Sequence, residues 1–351
     1  MLIGDNIVMK YILVGGKTGG HIYPGIALAQ EIKEKQGEVF FFSPCTKIDK
    51  IILGHYSFPY VHIISRSPGK VTSLKFISFL FCALLGTLQS LYYLIKLKPD
   101  VIIGLGGFPS VPGIIASRIL GKKVVLLEQN VKMGKANKFL LPLVQKLCLS
   151  FKETMPLNIK YFNKAIVTGN PIRKDIINCL TKSKKEILDK YGINTNKQIV
   201  LALGGSQGAR IINNIIKEFL DKNKDSYYIV HITGDNNFES GADLIMSFCE
   251  QIGELFAISD LVISRAGGTT LAELDFLQKK CVLIPFARAA EAHQQDNAMS
   301  LVNKGLAEII EEKHLTVQSL EQAIFRMINS KYVNENKVQN PNERIMQVVG
   351  G

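Results

Sequence analysis

Gly204-Gly205-Ser206-Gln207-Gly208-Ala209-Arg210 follows the apolar run Ile199-Val200-Leu201-Ala202-Leu203 and precedes the helical pattern Ile211-Ile212-Asn213-Asn214-Ile215-Ile216. A strand, a glycine turn and a helix start leave several backbone N–H groups facing one point, which suits a phosphate. The chain repeats the arrangement. Val14-Gly15-Gly16-Lys17-Thr18-Gly19-Gly20-His21 follows Lys10-Tyr11-Ile12-Leu13, and Gly104-Leu105-Gly106-Gly107 follows Asp100-Val101-Ile102-Ile103. Three such turns spread over both halves imply two phosphate-bearing ligands, or one ligand held between two sheets.

Outward from these turns, strand-like runs alternate with helical patterns. The runs 11–15, 39–43, 101–104, 124–127, 199–204, 228–233, 261–264 and 282–285 are continuously apolar and rich in β-branched residues. That composition belongs to parallel strands buried on both faces, so the fold class is α/β, with doubly wound parallel sheets. The glycine turn after the first strand recurs near Gly204, giving two domains of similar design. Gly169-Asn170-Pro171 with Arg173-Lys174-Asp175 is the expected hinge, because proline disfavours helix at the residue before it. The expected boundaries are 9–168, 169–330 and a polar tail, 331–351, that can return to the first domain.

Composition narrows the class. At 351 residues, 47% hydrophobic and 21% charged, the chain has an ample globular core. The six cysteines, Cys45, Cys82, Cys148, Cys179, Cys249 and Cys281, are scattered without a C-x-x-C or a histidine cluster. They read as buried thiols in a reducing compartment, with no zinc site or disulfide framework. No signal-peptide pattern opens the sequence, since Asp5 and Lys10 interrupt the first apolar stretch. The net charge of +12 is concentrated between residues 61 and 150, where twelve Lys or Arg residues face only Asp100 and Glu128. Such a stretch meets nucleic acid, an acidic substrate or a lipid surface. Within it, residues 76–95 carry no charge. They could span a bilayer, form a buried crossover helix or lie on lipid as an interfacial helix. In the last case Phe76, Phe79 and Leu80 are among the lipid-facing residues.

Each polar constellation has two readings. Gly16-Lys17-Thr18 ends like a P-loop, but the glycine that pattern requires is Tyr11. The first turn also lacks the G-x-G-x-x-G and acidic partner of a dinucleotide site. What remains is His21 at a helix opening, either a cap or a base at a phosphate-accepting turn. Ser264-Arg265-Ala266-Gly267-Gly268-Thr269-Thr270-Leu271-Ala272-Glu273 can bind a diphosphate, with Glu273 on a ribose diol. Equally, a threonine can cap the helix with Glu273 completing a capping box. Glu128-Gln129-Asn130 and His293-Gln294-Gln295-Asp296-Asn297-Ala298 stand at further strand ends, where open α/β sheets bind ligands.

Taken together, the segments resemble the MurG family of peptidoglycan N-acetylglucosaminyltransferases. Seven motifs occur in the family's order: 15–25, 104–108, Glu128-Gln129-Asn130, Gly169-Asn170-Pro171-Ile172-Arg173, 204–210, 264–273 and 293–298. The resemblance implies a GT-B fold of two Rossmann-like domains facing a central cleft, with donor UDP-GlcNAc on the C-terminal side. The acceptor it implies is lipid I, undecaprenyl-diphosphate-MurNAc-pentapeptide, on the N-terminal side. Thr18, Gly19, Gly20, Asn130, Arg173, Ser206, Glu273 and Gln294 match donor-contacting positions. Gly268, Thr269, Thr270, Leu271 and Ala272 with Glu273 would hold the nucleotide, and Cys249 would read the uracil edge through its backbone. His21 matches the histidine near the reacting hydroxyl, with Glu128 the alternative base. The resemblance further implies no metal and no cofactor. It implies an anionic membrane surface as partner, not nucleic acid, and a peripheral place on the cytoplasmic face of the bacterial inner membrane. Lys17 is a departure, an insertion relative to the family's Gly-Gly-Thr-Gly-Gly-His loop. Two other functions fit the same residues: a related GT-B transferase acting on diacylglycerol, and a UDP-sugar-binding protein without catalysis.

Overall fold

The computed structural model describes residues 8–68, 73–155, 158–204, 208–223, 226–234, 237–286, 293–331 and 339–350. The chain forms two compact units. One comprises Met1–Arg173 with Asn340–Gly351, and the other Lys174–Gln339.

The first unit contains strands β1 (Lys10–Val14), β2 (Glu38–Ser43), β3 (Tyr60–His62), β4 (Val101–Gly104), β5 (Lys123–Glu128), β6 (Lys146–Leu149) and β7 (Ala165–Val167). Its helices are α1 (Gly19–Glu34), α2 (Lys47–His55), α3 (Leu74–Leu97), α4 (Val111–Ile119), α5 (Lys135–Leu140) and α6 (Ile159–Phe162). The strands form one parallel sheet in the order β3-β2-β1-β4-β5-β6-β7. Apolar runs such as Tyr11-Ile12-Leu13-Val14 send alternate side chains to opposite faces, so each face needs its own cover. On one face Leu13, Phe41 and Ile103 pack with Ile22 and Ile26 of α1 and Leu53 of α2. On the other, Ile12, Ile102 and Leu126 pack with Leu94 of α3, Ile114 of α4 and Leu140 of α5.

In the second unit β8 (Ile199–Leu203), β9 (Tyr228–Ile232), β10 (Leu244–Met246), β11 (Leu261–Ser264), β12 (Cys281–Leu283) and β13 (Ala307–Ile309) repeat the design. They form a parallel sheet in the order β10-β9-β8-β11-β12-β13. Its helices are α7 (Lys174–Asn178), α8 (Lys184–Lys190), α9 (Arg210–Asn223), α10 (Ile252–Ile258), α11 (Gly268–Phe276), α12 (His293–Val302) and α13 (Val317–Asn329). The chain then re-enters the first unit through α14 (Pro341–Gly350). There Ile345, Met346 and Val349 join the α1 side of the core. Asn342 brackets the backbone of Ile172, accepting from its N–H at 2.9 Å and donating to its carbonyl at 2.8 Å. The Lys123 ammonium caps α14 by donating to the Val349 carbonyl at 2.7 Å.

All eight expected runs are strands. Four cysteines are buried, but Cys45 and Cys82 are only half-buried, which corrects the expectation of six buried thiols. Burial pushes the Cys148 thiol up to about 12 and that of Cys179 to about 11, so both remain protonated and inert.

α3 runs the length of residues 74–97 with an inverted pattern. Its inward side is small or polar, with Gly86, Thr87 and Ser90 buried beside Leu94. Gly86 has no room for a side chain: a Cβ would fall 2.0 Å from the Ile64 carbonyl oxygen. Leu74, Ile77, Phe81, Leu84, Leu88, Tyr92 and Ile95 are exposed, Leu74 to 84%. Their spacing of three and four residues makes a single stripe. Leu80 is exposed as well, but Phe76 and Phe79 are half-buried, with Phe79 packed edge-on against Phe108 at 5.7 Å. Phe79 thus packs in part against its own unit. By length and apolarity α3 could cross a membrane. Its polar inward face is instead seated on the unit, with Gln89 accepting from the Ile64 N–H at 2.8 Å.

Candidate active site

In the first unit, neighbouring strands β1, β4 and β5 end at one edge of the sheet, and three loops meet there. Gly15 and Gly16 turn the chain with φ of +149° and +135°. The next turn, Leu105-Gly106-Gly107, is fastened to the first by Ser110, whose hydroxyl reaches the carbonyls of Val14 and Gly106, both at 2.8 Å. α1 opens at Thr18, which makes no side-chain cap. Thr18 and Gly20 are exposed, and Gly19 is buried.

His21 lies in the first turn of α1, yet it does not cap that helix. Its Nδ1 is 3.1 Å from the Leu105 carbonyl oxygen. A carbonyl can only accept, so Nδ1 carries the proton and Nε2 holds a lone pair. Positive φ, +88° at Gly106 and +75° at Gly107, favours glycine opposite the ring. A Cβ on Gly107 would stand 3.2 Å from Nε2, and one on Gly106 would stand 3.4 Å from Cε1. Burial lowers the His21 pKa, opposed by the Glu128 charge and by hydrogen bonding to Gln129 and the Leu105 carbonyl.

Glu128, only 2% exposed, ends β5 with both oxygens occupied. Oε1 accepts from the Asn130 N–H at 3.0 Å and from Asn130 Nδ2 at 3.2 Å. Oε2 accepts from the Gly134 N–H at 2.8 Å and Asn137 Nδ2 at 2.9 Å. Four donors on one carboxylate make it an organiser of the loop that follows. Gln129 donates to the same Leu105 carbonyl as His21, at 3.0 Å. Arg173 is buried with its guanidinium 4.7 Å from the Tyr23 ring centre, a cation–π contact to α1. His21, Glu128 and Asn130 are thus neighbours at this edge, while Arg173 packs on α1 through Tyr23.

The second unit presents a corresponding edge at the ends of β8, β11 and β12. Gly204 is obligatory, because a Cβ would fall 2.1 Å from the Ala209 nitrogen. Ser206 lies outside the described residues. α11 begins at Gly267 without a side-chain cap. The N-cap position is thus a glycine and not Thr269 or Thr270, so the capping-box reading of 264–273 does not hold. Thr269, Leu271 and Glu273 are buried, while Gly268, Thr270 and Ala272 are half-buried. Arg265 braces the site by donating to the Ile284 carbonyl at 3.0 Å, pairing with Glu312 at 2.6 Å and stacking on Phe286 at 5.1 Å. Gln294 accepts from the Phe286 N–H at 3.0 Å.

Cys249 is buried after β10, with its thiol 3.8 Å from the Tyr191 hydroxyl. That hydroxyl donates to Glu254 at 2.9 Å, and Lys182 and Lys190 each reach the same carboxylate at 2.5 Å. Burial alone would raise the Glu254 pKa, but these donors hold it below the ordinary carboxylate value. Sequence reading missed this network because its members are dispersed over 182–254. It also missed Asp49, although Thr46-x-x-Asp49 is a capping-box spacing.

Two doubly wound units with glycine turns at adjacent strand ends are the domain pair of a GT-B glycosyltransferase. Family models agree: residues 11–148 match the glycosyltransferase family 28 N-terminal domain and residues 199–349 its C-terminal domain. A relative from Halothermothrix orenii is 35% identical over 341 residues, covering 92% of this chain and 91% of its own. One from Lachnospira eligens is 32% identical over 354 residues, covering 97% and 98%. Both are named UDP-N-acetylglucosamine–N-acetylmuramyl-(pentapeptide) pyrophosphoryl-undecaprenol N-acetylglucosamine transferase. The chain belongs to this MurG family of glycosyltransferases. The crystal structure of Acinetobacter baumannii MurG shares the fold, with a TM-score of 0.75 at 23% identity over 97% of this chain and 99% of that one.

Proposed function

We propose that the protein transfers GlcNAc from UDP-GlcNAc to the 4-hydroxyl of the muramoyl sugar of lipid I, forming lipid II with inversion. The observation that carries the reading is the His21 imidazole, held by Leu105 with its Nε2 lone pair against the glycine turn, in a chain whose full-length relatives bear that activity in their names. Nε2 takes the proton as the acceptor oxygen attacks the anomeric carbon, and UDP leaves as an anion. Glu128 is assigned to organising the loop, because its lone pairs are already engaged.

In the second unit the start of α11, with Gly267 at its N-cap, stabilises charge developing on the departing diphosphate. Glu273 holds the ribose, Gln294 the sugar, and the backbone at Cys249 the uracil. Thr18, Gly19, Gly20, Asn130 and Arg173 are the first unit's donor-contacting positions, and Ser206 belongs to the phosphate turn. The exposed stripe of α3, set in a stretch rich in lysine and arginine, docks the enzyme on an anionic bilayer at the cytoplasmic face, where the polyprenyl acceptor resides. The test is transfer of radiolabelled GlcNAc to polyprenyl-diphosphate-muramoyl pentapeptide and to diacylglycerol. Labelled product from the first alone is expected. Labelling of diacylglycerol would identify a different transferase, and UDP-GlcNAc binding without transfer a sugar-nucleotide carrier.

A further inference from the structure

Lys17 stands where the backbone favours glycine. Its φ is +80°, a left-handed conformation that L side chains adopt at a cost. Asp49, the third residue of α2 and wholly buried, holds it there. The Lys17 N–H donates to Asp49 Oδ1 at 2.7 Å. Oδ2 accepts from the Thr46 N–H at 3.0 Å and the Thr46 hydroxyl at 2.9 Å, closing the capping box of α2. The turn rests directly on this carboxylate, since a Cβ on Gly16 would fall 2.8 Å from Oδ1. The Lys17 ammonium, by contrast, points to the exposed Ser67 hydroxyl at 2.9 Å.

From Lys17 the chain passes through Thr18, a helix cap with no side-chain bond, to His21 in the first turn of α1. The start of α1 is therefore fixed from outside the helix, by Asp49. We propose that Asp49 is a positioning residue for glycosyl transfer: by fixing the Lys17 N–H it sets the start of α1 and hence the place of the His21 ring, while the Lys17 side chain is dispensable. The proposal rests on the reading of His21 as the base. A reacting group displaced by about 1 Å can lose some hundredfold in rate, so a single buried hydrogen bond at the root of this turn has leverage on kcat.

Asp49→Asn tests it in the full-length protein. An amide has one acceptor oxygen and cannot serve both the Lys17 and Thr46 N–H groups. The expected result is a kcat on lipid I lowered about 10–100-fold, with UDP affinity by calorimetry within twofold of wild type. The ¹⁵N resonances of the His21 imidazole should also move away from a single tautomer. Thr46→Ala removes the hydroxyl but leaves both backbone bonds, so it should lower the melting temperature while leaving kcat and the His21 resonances unchanged. Lys17→Gly keeps the N–H and should keep kcat within twofold.

The proposal is overturned by an Asp49→Asn kcat within threefold of wild type, or by loss of kcat in both Asp49→Asn and Thr46→Ala in step with their melting temperatures. It is also overturned by a Lys17→Gly loss equal to that of Asp49→Asn, which would assign the work to the ammonium. Should Asp49→Asn not fold, Asp49→Glu is held to the same criteria, since it keeps two acceptor oxygens but moves them by one methylene. If wild-type protein transfers nothing to lipid I, the functional reading fails, whereas the His21 resonances of the variants still decide the role of Asp49.

Discussion

His21 and Glu273 are the two side chains on which the proposed chemistry turns, and each makes a separate prediction. Burial lowers the His21 pKa, so the neutral, base-competent ring persists below the ordinary histidine value of about 6.5. The acid limb of kcat/KM is expected below pH 6.5, and a limb above it would remove His21 as the base. Glu273 is buried in the second turn of α11, 4% exposed. Two bonds from a ribose diol to its carboxylate are worth about 1.5–3 kcal/mol each. Glu273→Ala should therefore raise the KM for UDP-GlcNAc at least tenfold, with a cooperative melt showing the fold intact. An unchanged KM would take Glu273 out of the donor site.

Elements differ in how plainly the sequence declares them, and the reason is burial. β1, β4, β8 and β11 sit inside their sheets, and their unbroken apolar runs name them. Tyr60–His62 is an edge strand with two exposed residues, and Ala165–Val167 is half-buried throughout. Neither can be distinguished from loop by pattern alone. Lys146–Leu149 is buried but only four residues long, close behind another apolar run. At the site, glycine turns are legible because they are local, whereas Asp49 meets Lys17 from 32 positions away, a contact made only by the tertiary fold. α3 reads as apolar in sequence, but which side faces out depends on Gly86, Thr87 and Ser90 turning inward. Its prediction follows from that placement. Changing Ile77, Phe81 and Leu84 to Ser should release the protein from anionic vesicles and reduce transfer to lipid I, leaving UDP affinity unchanged. Added salt should weaken the wild-type association only in part, since it screens the lysines and not the apolar stripe. Vesicle binding at wild-type strength by this variant would rule out α3 as the contact.

For the whole molecule, a histidine that folds neutral should lower stability toward acid. His231 is fully buried on β9, with Nε2 3.2 Å from Asn213 Oδ1, and burial lowers its pKa to about 4. The unfolded chain takes up this proton near pH 6.5, the folded one only near 4. Folding stability should therefore fall as pH drops through that window, by roughly 3 kcal/mol for this one ring. His231→Gln should flatten the pH dependence of urea midpoints between 6.5 and 4, and an unaltered slope would place the acid sensitivity elsewhere. The return of α14 to the first unit bears on the order of events during synthesis. Ile345, Met346 and Val349 complete a core begun at Tyr11, so the ribosome must deliver the whole second unit before the first can close. At roughly 5–20 residues per second that interval lasts about ten to thirty seconds. Throughout it, the apolar surface of α1 that awaits α14 stands open to chaperones and proteases, while the second unit, contiguous from Lys174 to Gln339, needs nothing made later. The domain encoded first is thus the last to be finished.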